Sequence, residues 1–299
     1  MSYHNPVLLH ESIDGLAIKE NGVYVDVTFG GGGHSKEILN RLGEEGKLFA
    51  FDQDPDALEN VIDDERFVLI PENFRYISRF LRFHGVRKVD GVLADLGVSS
   101  HQFDEAERGF SIRFEGDLDM RMNQKSKKSA KDIINTYSEE KLAEILFLYG
   151  ELRNSRKIAR TIVHERKNKS IETSFQLKEV LKMFLPKAKE HKILAQIFQA
   201  IRIEVNEELD VLKEFLEQIP NLLKAEGRLS VISYHSLEDR LVKRYIRTGL
   251  FEGEPEKDMF GNSNEPLKKV GKLIVPSKEE VKINNRARSA KLRIATLKN

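Results

Sequence analysis

Several features that would place a protein in a specialised class are absent from this chain of 299 residues. There is no cysteine, which excludes disulfides, thiolate zinc sites and cysteine nucleophiles and fits a reducing compartment. No stretch approaches the roughly 18 consecutive apolar residues that a membrane-spanning helix needs. The first fifteen residues lack a basic segment followed by an apolar run, so we expect a cytoplasmic protein that does not engage a membrane.

An excess of charge of one sign is also absent. Lys and Arg number 49 and Asp and Glu number 48, which leaves a formal net charge of +1. Any attraction to polyanions must therefore come from where the charges lie along the chain. With 40% hydrophobic and 32% charged residues, 19 glycines and 8 prolines, the composition is that of a globular protein and excludes collagen-like and disordered chains.

The first third of the chain alternates strand and helix patterns. Residues 23–29 alternate apolar and polar side chains, glycines 30–33 interrupt this pattern, and helical spacing begins at His34. Further strand patterns lie at 47–51, 67–70, 91–94 and 229–233. Strands that alternate with helices predict an α/β fold with a parallel sheet and helices on its faces.

The character of the sequence changes after the segment DLGVSS (95–100). Residues 104 to about 195 are polar, charged and helix-like, without a convincing strand. We therefore predict an inserted all-helical subdomain at 111–195 within a discontinuous domain formed by 1–110 and 196–299. At about 100 to 200 residues per domain, the chain length allows this division.

Three further local predictions concern the second half of the chain. Residues 197–219 have the pattern of one long amphipathic helix that stops at Pro220. Ser236 with Asp239 three residues later resembles a capping box, which predicts a helix starting there. Residues 252–280 mix Gly, Pro, Asn, Lys and Glu and predict an exposed loop or lid.

The glycine run is the first candidate for ligand binding, because glycines let main-chain amides approach a ligand closely. A phosphate-binding Walker loop needs lysine after its last glycine, whereas His34 and Ser35 follow Gly33. The dinucleotide fingerprint also fits badly, because its third glycine or alanine is missing. What remains is the loop with Asp52, about 20 residues on, whose carboxylate could accept hydrogen bonds from ribose hydroxyls. This suits an adenosyl ligand without phosphates; a turn that merely lets helix and strand pack is the alternative.

Two more residues follow strands at the same predicted edge. Asp95 ends an apolar strand and Gln102 lies shortly after it, where ligands of open α/β sheets collect. A helix N-cap or turn residue is the alternative for Asp95. Phe74 follows the 67–70 strand and could stack on an adenine ring, although a lone aromatic is more often part of a core.

A set of longer motifs, distributed over nearly the whole chain, is far more specific than the glycine loop. They are HNPVLLHES (4–12), DVTFGGGGHS (26–35), DQDP (52–55), DLGVSSHQFDEAERGFS (95–111), DLDMRM (117–122), YGELR (149–153), FQAIRIEVNEEL (198–209), SYHSLEDR (233–240) and RARSAKLR (286–293). Together they closely resemble the MraW family of ribosomal RNA small-subunit methyltransferases. The chain departs from the family pattern at Asp117 (proline in the family), Leu152 (an acidic residue) and Tyr234 (phenylalanine).

The resemblance implies a Rossmann-like class I methyltransferase sheet. It further implies transfer of a methyl group from S-adenosyl-L-methionine to the exocyclic N4 amine of a cytidine in 16S ribosomal RNA. Matched by position, the family's cofactor contacts are Gly32, Gly33, His34, Asp52, Phe74, Asp95 and Gln102. The expected partner is 16S ribosomal RNA within the small ribosomal subunit.

The chemistry itself asks for an acceptor beside the cytosine amine, a poor nucleophile whose lone pair is delocalised into the ring. Our hypothesis is that Asp95, or a backbone carbonyl within 96–98, accepts the amine hydrogen. His235 and Ser233 are the further catalytic candidates and are expected to line the same opening. The alternative for His235 is a residue at a helix N-terminus with a local hydrogen bond.

Basic residues cluster in three places despite the balanced total charge. The clusters are Arg153, Arg156, Lys157, Arg160, Arg166, Lys167 and Lys169; Lys282, Arg286, Arg288, Lys291, Arg293 and Lys298; and Lys125, Lys127, Lys128 and Lys131. Charge runs are often only solvated faces, but three of them favour contact with RNA phosphates. We expect the inserted subdomain to recognise RNA.

Other functions stay open at the level of sequence. One is a non-catalytic assembly factor that binds ribosomal RNA and keeps an adenosyl ligand for structure. A nicotinamide-dependent oxidoreductase is disfavoured by the imperfect dinucleotide fingerprint, and a DNA amino-methyltransferase by Leu-Gly-Val after Asp95 in place of Pro-Pro-aromatic. No metal site is expected, because the eight histidines show no ligand spacing with flanking carboxylates.

Overall fold

The computed structural model describes residues 6–256, 259 and 265–298. The chain divides into two compact units, one of residues 1–97 and 209–299 and the other of residues 98–208. The sequence predicts the boundaries after residues 110 and 195, so both differ. The reason is packing: Val98, Phe103 and Phe110 on one side and Ile197 to Val205 on the other contact the core of the second unit.

The first unit contains a sheet of seven strands in the order β3-β2-β1-β4-β5-β7-β6. Strands β1 to β5 are parallel, and β7 runs antiparallel to both β5 and β6. The strands are β1 (Val23–Asp26), β2 (Lys47–Phe51), β3 (Phe67–Ile70), β4 (Val89–Asp95), β5 (Leu223–Ser233), β6 (Leu267–Ile274) and β7 (Lys291–Leu297). This mixed sheet, with five parallel strands followed by the antiparallel β7, confirms the predicted α/β fold.

The α-helices belong to both units. In chain order they are α1 (Leu9–Leu16), α2 (Gly33–Arg41), α3 (Ile77–Phe83), α4 (Ser100–Asp104), α5 (Ala130–Thr136), α6 (Glu139–Leu148), α7 (Ser155–Glu165), α8 (Ser174–Val180), α9 (Glu190–Asn206), α10 (Glu208–Leu222), α11 (Ser236–Thr248) and α12 (Lys278–Ile283). Helices α4 to α9 lie in the second unit. Within the described part of the chain, no helix has both the length and the apolar character needed to cross a membrane.

Both faces of the sheet are covered, as expected for parallel strands. Alternate strand residues point to opposite faces, and the contacts follow that rule. Val25 and Phe49 join a core with the apolar side of α10, whereas Tyr24, Leu48 and Leu93 join a separate core with α1 and α2. The loops that connect strands and helices lie at the ends of the strands, outside these two cores.

The second unit is built of helices, and between residues 98 and 208, all of them described, no strand forms. One isolated bridge joins Asp117 and Thr173. The core of this unit consists of apolar side chains at helical spacing, such as Ile133, Ile145, Ile158, Leu177 and Ile197, each no more than 1% exposed. The predicted all-helical insertion is therefore confirmed in its secondary structure.

The single helix predicted at 197–219 is wrong. Helix α9 ends at Asn206, Glu207 adopts a left-handed conformation with φ of 52°, and α10 starts at Glu208. Pro220 lies inside α10, which continues for two residues beyond it. The missing hydrogen bond at Pro220 is tolerated because the apolar side of α10, including Phe215 and Ile219, is fully buried.

The loop predicted at 252–280 is only partly observed. Residues 267–274 form β6 at the sheet edge, because they pair with β7, a partner that local sequence patterns do not reveal. Lys278–Ile283 form α12. Residues 257, 258 and 260–264 of the predicted loop lie outside the described residues, and so does any lid there.

Candidate functional site

The carboxyl ends of β1 to β5 meet at one edge of the sheet, and the glycine loop lies at this edge between β1 and α2. Gly30 and Gly32 have φ of 50° and 74°, a region that favours glycine. A Cβ atom at Gly33 would approach Pro6 Cγ to 2.3 Å, whereas one at Gly31 would have no atom within 4 Å. The loop is therefore packed on one side and leaves open space above Gly31.

The buried carboxylate of Asp26 holds both ends of the glycine loop through hydrogen bonds from Thr28 and Ser35. Its Oδ1 accepts a hydrogen bond from Thr28 N at 3.1 Å, and its Oδ2 accepts one from Ser35 Oγ at 2.7 Å. Thr28 Oγ1 in turn accepts a hydrogen bond from Asp95 N at 2.7 Å. Burial raises the pKa of Asp26, with Ser35 and Thr28 opposing the shift. Sequence reasoning missed this residue, although a carboxylate at the end of a buried strand was the available signal.

Asp52 follows β2, the strand beside β1, and its carboxylate binds the first residue of the glycine loop. Its Oδ2 accepts a hydrogen bond from Gly30 N and its Oδ1 one from Asp54 N, both at 2.8 Å. Each oxygen keeps a second lone pair that could accept a ligand hydroxyl. Burial raises the pKa of Asp52 to about 6, against the effect of these two hydrogen bonds.

Phe74 lies at the same edge, after β3. Asn73 caps the short 3-10 helix Phe74–Tyr76, and its Nδ2 donates to Gln53 Oε1 at 2.9 Å, which links the loops after β2 and β3. The Phe74 ring is half-buried and packs edge-to-face on Phe215 with centroids 5.3 Å apart. One part of the ring thus belongs to the core, while the rest is accessible.

Asp95 ends β4 and has two unlike carboxylate oxygens. Oδ1 accepts a hydrogen bond from the Tyr234 hydroxyl at 2.8 Å. Oδ2 lies 3.8 Å from His34 Nδ1, too far for a hydrogen bond, and among the described residues no group donates to it. The side chain is 21% exposed. Burial raises the pKa of Asp95 to about 6, and His34 and Tyr234 oppose this shift.

His34 lies at the first turn of α2 and is buried. Its Nε2 is 3.2 Å from the carbonyl oxygen of Val7. If Nε2 carries a proton and donates to Val7, Nδ1 faces Asp95 Oδ2. His34 therefore joins Val7 to the glycine loop in addition to facing Asp95.

The contacts of Ser233 and His235 are local. Ser233 is 2% exposed and its Oγ lies 3.5 Å from the carbonyl oxygen of Lys291 on β7. His235 is the N-cap of α11: its Nδ1 accepts from Glu238 N at 3.5 Å, and its Nε2 lies 3.1 Å from Glu238 Oε1 without hydrogen-bond geometry. The capping box is thus one residue earlier than the predicted Ser236 and Asp239 pair. Asp239 instead binds Lys291 and Arg293.

Gln102 lies in the second unit, where it is 5% exposed on α4. It forms a capping box with Ser99: Gln102 Oε1 accepts from Ser99 N at 3.0 Å, and Gln102 N donates to Ser99 Oγ at 3.2 Å. The other predicted cofactor residues, Gly32, Gly33, His34, Asp52, Phe74 and Asp95, belong to the first unit and to one edge of its sheet.

Many of the basic side chains predicted to contact RNA have partners within the protein. Arg166 donates two hydrogen bonds of 2.6 Å to the carbonyls of Ile134 and Tyr137. Other charged contacts join Lys131 to Glu172, Arg160 to Glu139, Lys128 to Glu204, Lys291 and Arg293 to Asp239, and Lys298 to Glu265.

A smaller basic set is exposed and has no acidic partner within the described ranges. In the second unit it comprises Lys125, Lys127, Arg153, Arg156, Lys157, Lys167 and Lys169, and in the first unit Lys282 and Arg288. Sequence reasoning missed Lys268, Lys269 and Lys272 on the edge strand β6, since this segment has the composition of a loop. Arg153, Arg156 and Lys157 lie within five residues of one another at the start of α7.

Comparison with known proteins gives a consistent family. Residues 1–298 match the family described as MraW methylase family. The ribosomal RNA small subunit methyltransferase H of Christiangramia forsetii is 70% identical over 99% of this chain and 98% of its own, and that of Flavobacterium johnsoniae is 67% identical over the same shares. A crystal structure of an rRNA methylase from Streptococcus thermophilus is 13% identical over 100% of this chain and 99% of its own, with a TM-score of 0.45.

The raised pKa of Asp95 predicts a pH-dependent effect of Asp95→Asn on stability. In the folded protein the carboxyl group keeps its proton up to about pH 6, whereas the unfolded value is 3.8, so ionisation of Asp95 destabilises the fold as pH rises through this window. The variant should unfold with a free energy about 1 to 2 kcal/mol higher than the wild type at pH 8, and equal to it near pH 4. Urea denaturation across this pH range measures the difference, with the exposed Asp63→Asn as control. An effect of equal size at both pH values would contradict the prediction.

Proposed function

Since the chain belongs to the MraW methylase family, we propose that it transfers the methyl group of S-adenosyl-L-methionine to the N4 amine of a cytidine in the 16S RNA of the small ribosomal subunit. The observation that carries the proposal is the pair of partly buried carboxylates, Asp52 and Asp95, on either side of an open glycine loop. The relatives' name supplies the class of substrate.

The residues present fit an adenosyl ligand. Asp52 Oδ1 and Oδ2 each hold one main-chain N–H and can each accept a ribose hydroxyl as well. The open space above Gly31 lets a ligand reach the main chain of the loop. Gly32, Gly33 and His34 follow directly, at the beginning of α2. The accessible part of the Phe74 ring is suited to contact with an adenine face.

The bound cofactor supplies a methyl group on a positively charged sulfur. The protein's part is to hold the cytosine amine in line with that carbon and sulfur, which can contribute several kcal/mol to the rate. Asp95 Oδ2, partly exposed and without a hydrogen-bond donor among the described residues, is the acceptor for an amine hydrogen. A carboxylate there helps the amine nitrogen to become a nucleophile and balances the positive charge that develops on it.

The remaining predicted residues support this site in different ways. The local contacts of Ser233 and His235 favour a role in holding the junction between β5 and α11 rather than in proton transfer. Gln102, with its side-chain oxygen engaged by Ser99, stabilises the start of α4. We retain Gln102 as a cofactor contact through the resemblance, since its amide nitrogen can donate to a carboxylate.

Recognition of the RNA is assigned to the second unit. Arg153, Arg156 and Lys157 are exposed at the start of α7 and have no partner among the described residues, so their charges are available to phosphates. A cytidine in folded RNA must leave its stack to reach a pocket, at a cost of a few kcal/mol. Phosphate contacts of this kind offset that cost.

The decisive test is transfer of labelled methyl groups to small ribosomal subunits that lack the modification, with nucleoside mass spectrometry of the product. The wild type should yield labelled N4-methylcytidine. Asp95→Asn should lower the turnover number by about 100-fold, a typical contribution of acid-base catalysis. Its KM for S-adenosylmethionine should change far less. Full turnover by Asp95→Asn would remove Asp95 as the acceptor, and absence of transfer by a wild type that binds the cofactor would favour the non-catalytic assembly factor.

A separate prediction concerns Asp52→Asn and the cofactor. The variant keeps one carbonyl oxygen and loses the charge, so the dissociation constant for S-adenosylmethionine should rise by about 10- to 100-fold, the effect of one hydrogen bond to a charged group. Wild-type affinity should also weaken as pH falls below about 6, because the carboxyl group then takes up a proton. Calorimetric titration at pH 5 and pH 7.5 measures both effects, and an unchanged affinity of the variant at pH 7.5 would refute the assignment of Asp52.

The RNA surface is tested with the triple variant Arg153→Ala, Arg156→Ala and Lys157→Ala. If each side chain meets one phosphate, the slope of log affinity against log salt should decrease by about 2, at roughly 0.7 per phosphate of single-stranded RNA. The matched control replaces Lys141, Lys178 and Lys182 by alanine, three exposed lysines of the same unit that pair with Glu144, Glu190 and Glu179. Equal losses of RNA affinity in both triple variants would show a general charge effect and contradict this surface.

A further inference from the structure

Tyr234 connects the candidate acceptor to the beginning of α11. Its hydroxyl donates to Asp95 Oδ1 at 2.8 Å, and its main-chain N–H donates to Glu238 Oε2 at 3.0 Å. The ring is partly buried, packs against the cluster that contains Ile232 and Leu292, and comes within 3.5 Å of the position that a Cβ atom on Gly97 would take. Both the main chain and the ring of Tyr234 are therefore held, so its hydroxyl has a fixed position.

We propose that Tyr234 is a positioning residue for methyl transfer: its hydroxyl binds one oxygen of Asp95, turns the other towards the substrate amine, and keeps the carboxylate in its charged form. The inference rests on the proposed function of Asp95. It explains why Oδ1 and Oδ2 have different surroundings, with a hydrogen-bond donor at the first and none among the described residues at the second.

The charged neighbours of Asp95 make this hydroxyl important. Burial is the main cause of the raised pKa of Asp95, and the negative charges of Asp26 on β1 and Glu238 on α11 raise it further. Within the described part of the chain, His34 on α2 and the Tyr234 hydroxyl oppose this shift. Removal of the hydroxyl would leave His34, 3.8 Å from Oδ2, as the remaining group that favours the ionised carboxylate.

The Tyr234 hydroxyl keeps its own proton throughout the useful pH range. Burial together with the negative charges of Asp95, Glu238 and Glu280 raises its pKa well above the usual value. Because tyrosine loses its proton only at high pH, Tyr234 is a permanent donor to the carboxylate. The group that titrates near neutral pH is therefore Asp95 and not Tyr234.

Tyr234→Phe removes the hydroxyl and keeps the ring that packs against Ile232 and Leu292. The acid limb of the pH profile of kcat/KM should move up by about one pH unit, the size of one hydrogen bond to a charged group. The variant should then be about fivefold slower than the wild type at pH 6 and close to it at pH 8.5, with an unchanged KM for S-adenosylmethionine. Recovery of kcat/KM at high pH would show that Tyr234 acts through the ionisation of Asp95. A packing defect would lower kcat/KM at every pH.

Tyr245→Phe is the matched control. Tyr245 is a buried tyrosine of the same unit, stacked on Phe251 with centroids 4.9 Å apart, and lies outside the candidate site. Its profile should coincide with that of the wild type. An unshifted profile of Tyr234→Phe, or a loss of equal size at every pH, would overturn the inference.

A second measurement makes the inference independent of turnover. In the full-length protein with ¹³C-labelled aspartate, assigned with Asp95→Asn, the titration midpoint of the Asp95 carboxyl should lie higher in Tyr234→Phe than in the wild type. An unchanged midpoint would overturn the role of Tyr234 even if methyl transfer is observed. Absence of methyl transfer by the wild type, with a shifted midpoint, would count against the proposed function alone.

Discussion

Three carboxylates at the carboxyl ends of adjacent parallel strands hold the site together, with Asp26 fully buried and Asp52 and Asp95 partly buried. Asp26 binds Thr28 and Ser35, Asp52 binds the first amide of the glycine loop, and the main chain of Asp95 is fixed to Thr28. Each carboxylate has a raised pKa because burial disfavours its charge. The fold tolerates this cost where function requires it, since strained or unfavourable groups commonly cluster at functional sites.

The two carboxylates that face the opening differ in how they are held, and the difference follows their proposed tasks. Both oxygens of Asp52 receive a main-chain N–H, which suits a group that must stay still and accept ligand hydroxyls. Asp95 is held through one oxygen only, by the side chain of Tyr234, which directly follows β5. That leaves an acceptor at its other oxygen, where a reacting amine needs one.

Local sequence patterns predicted the strands β1 to β5, the glycine loop and the helical insertion, because side-chain periodicity and glycine conformations act over a few residues. These patterns gave wrong predictions where the secondary structure depends on contacts with residues that are distant in the sequence. Residues 267–274 form a strand only because β7 lies beside them, and α10 passes Pro220 because its apolar side is buried in the core of the sheet. The capping box of α11 uses His235 and Glu238, while Asp239 forms ion pairs with Lys291 and Arg293 of the distant strand β7.

The sequence by itself determined the family, the class of fold and the residues that follow each strand, since these depend on motifs and on short-range patterns. Only the tertiary structure decided which of those residues act together. The hydrogen bond between Tyr234 and Asp95 joins positions 139 residues apart, and the basic clusters separate into paired and exposed side chains only once their acidic neighbours are in place. Such contacts depend on strand order and burial, which bring together residues that no local pattern connects.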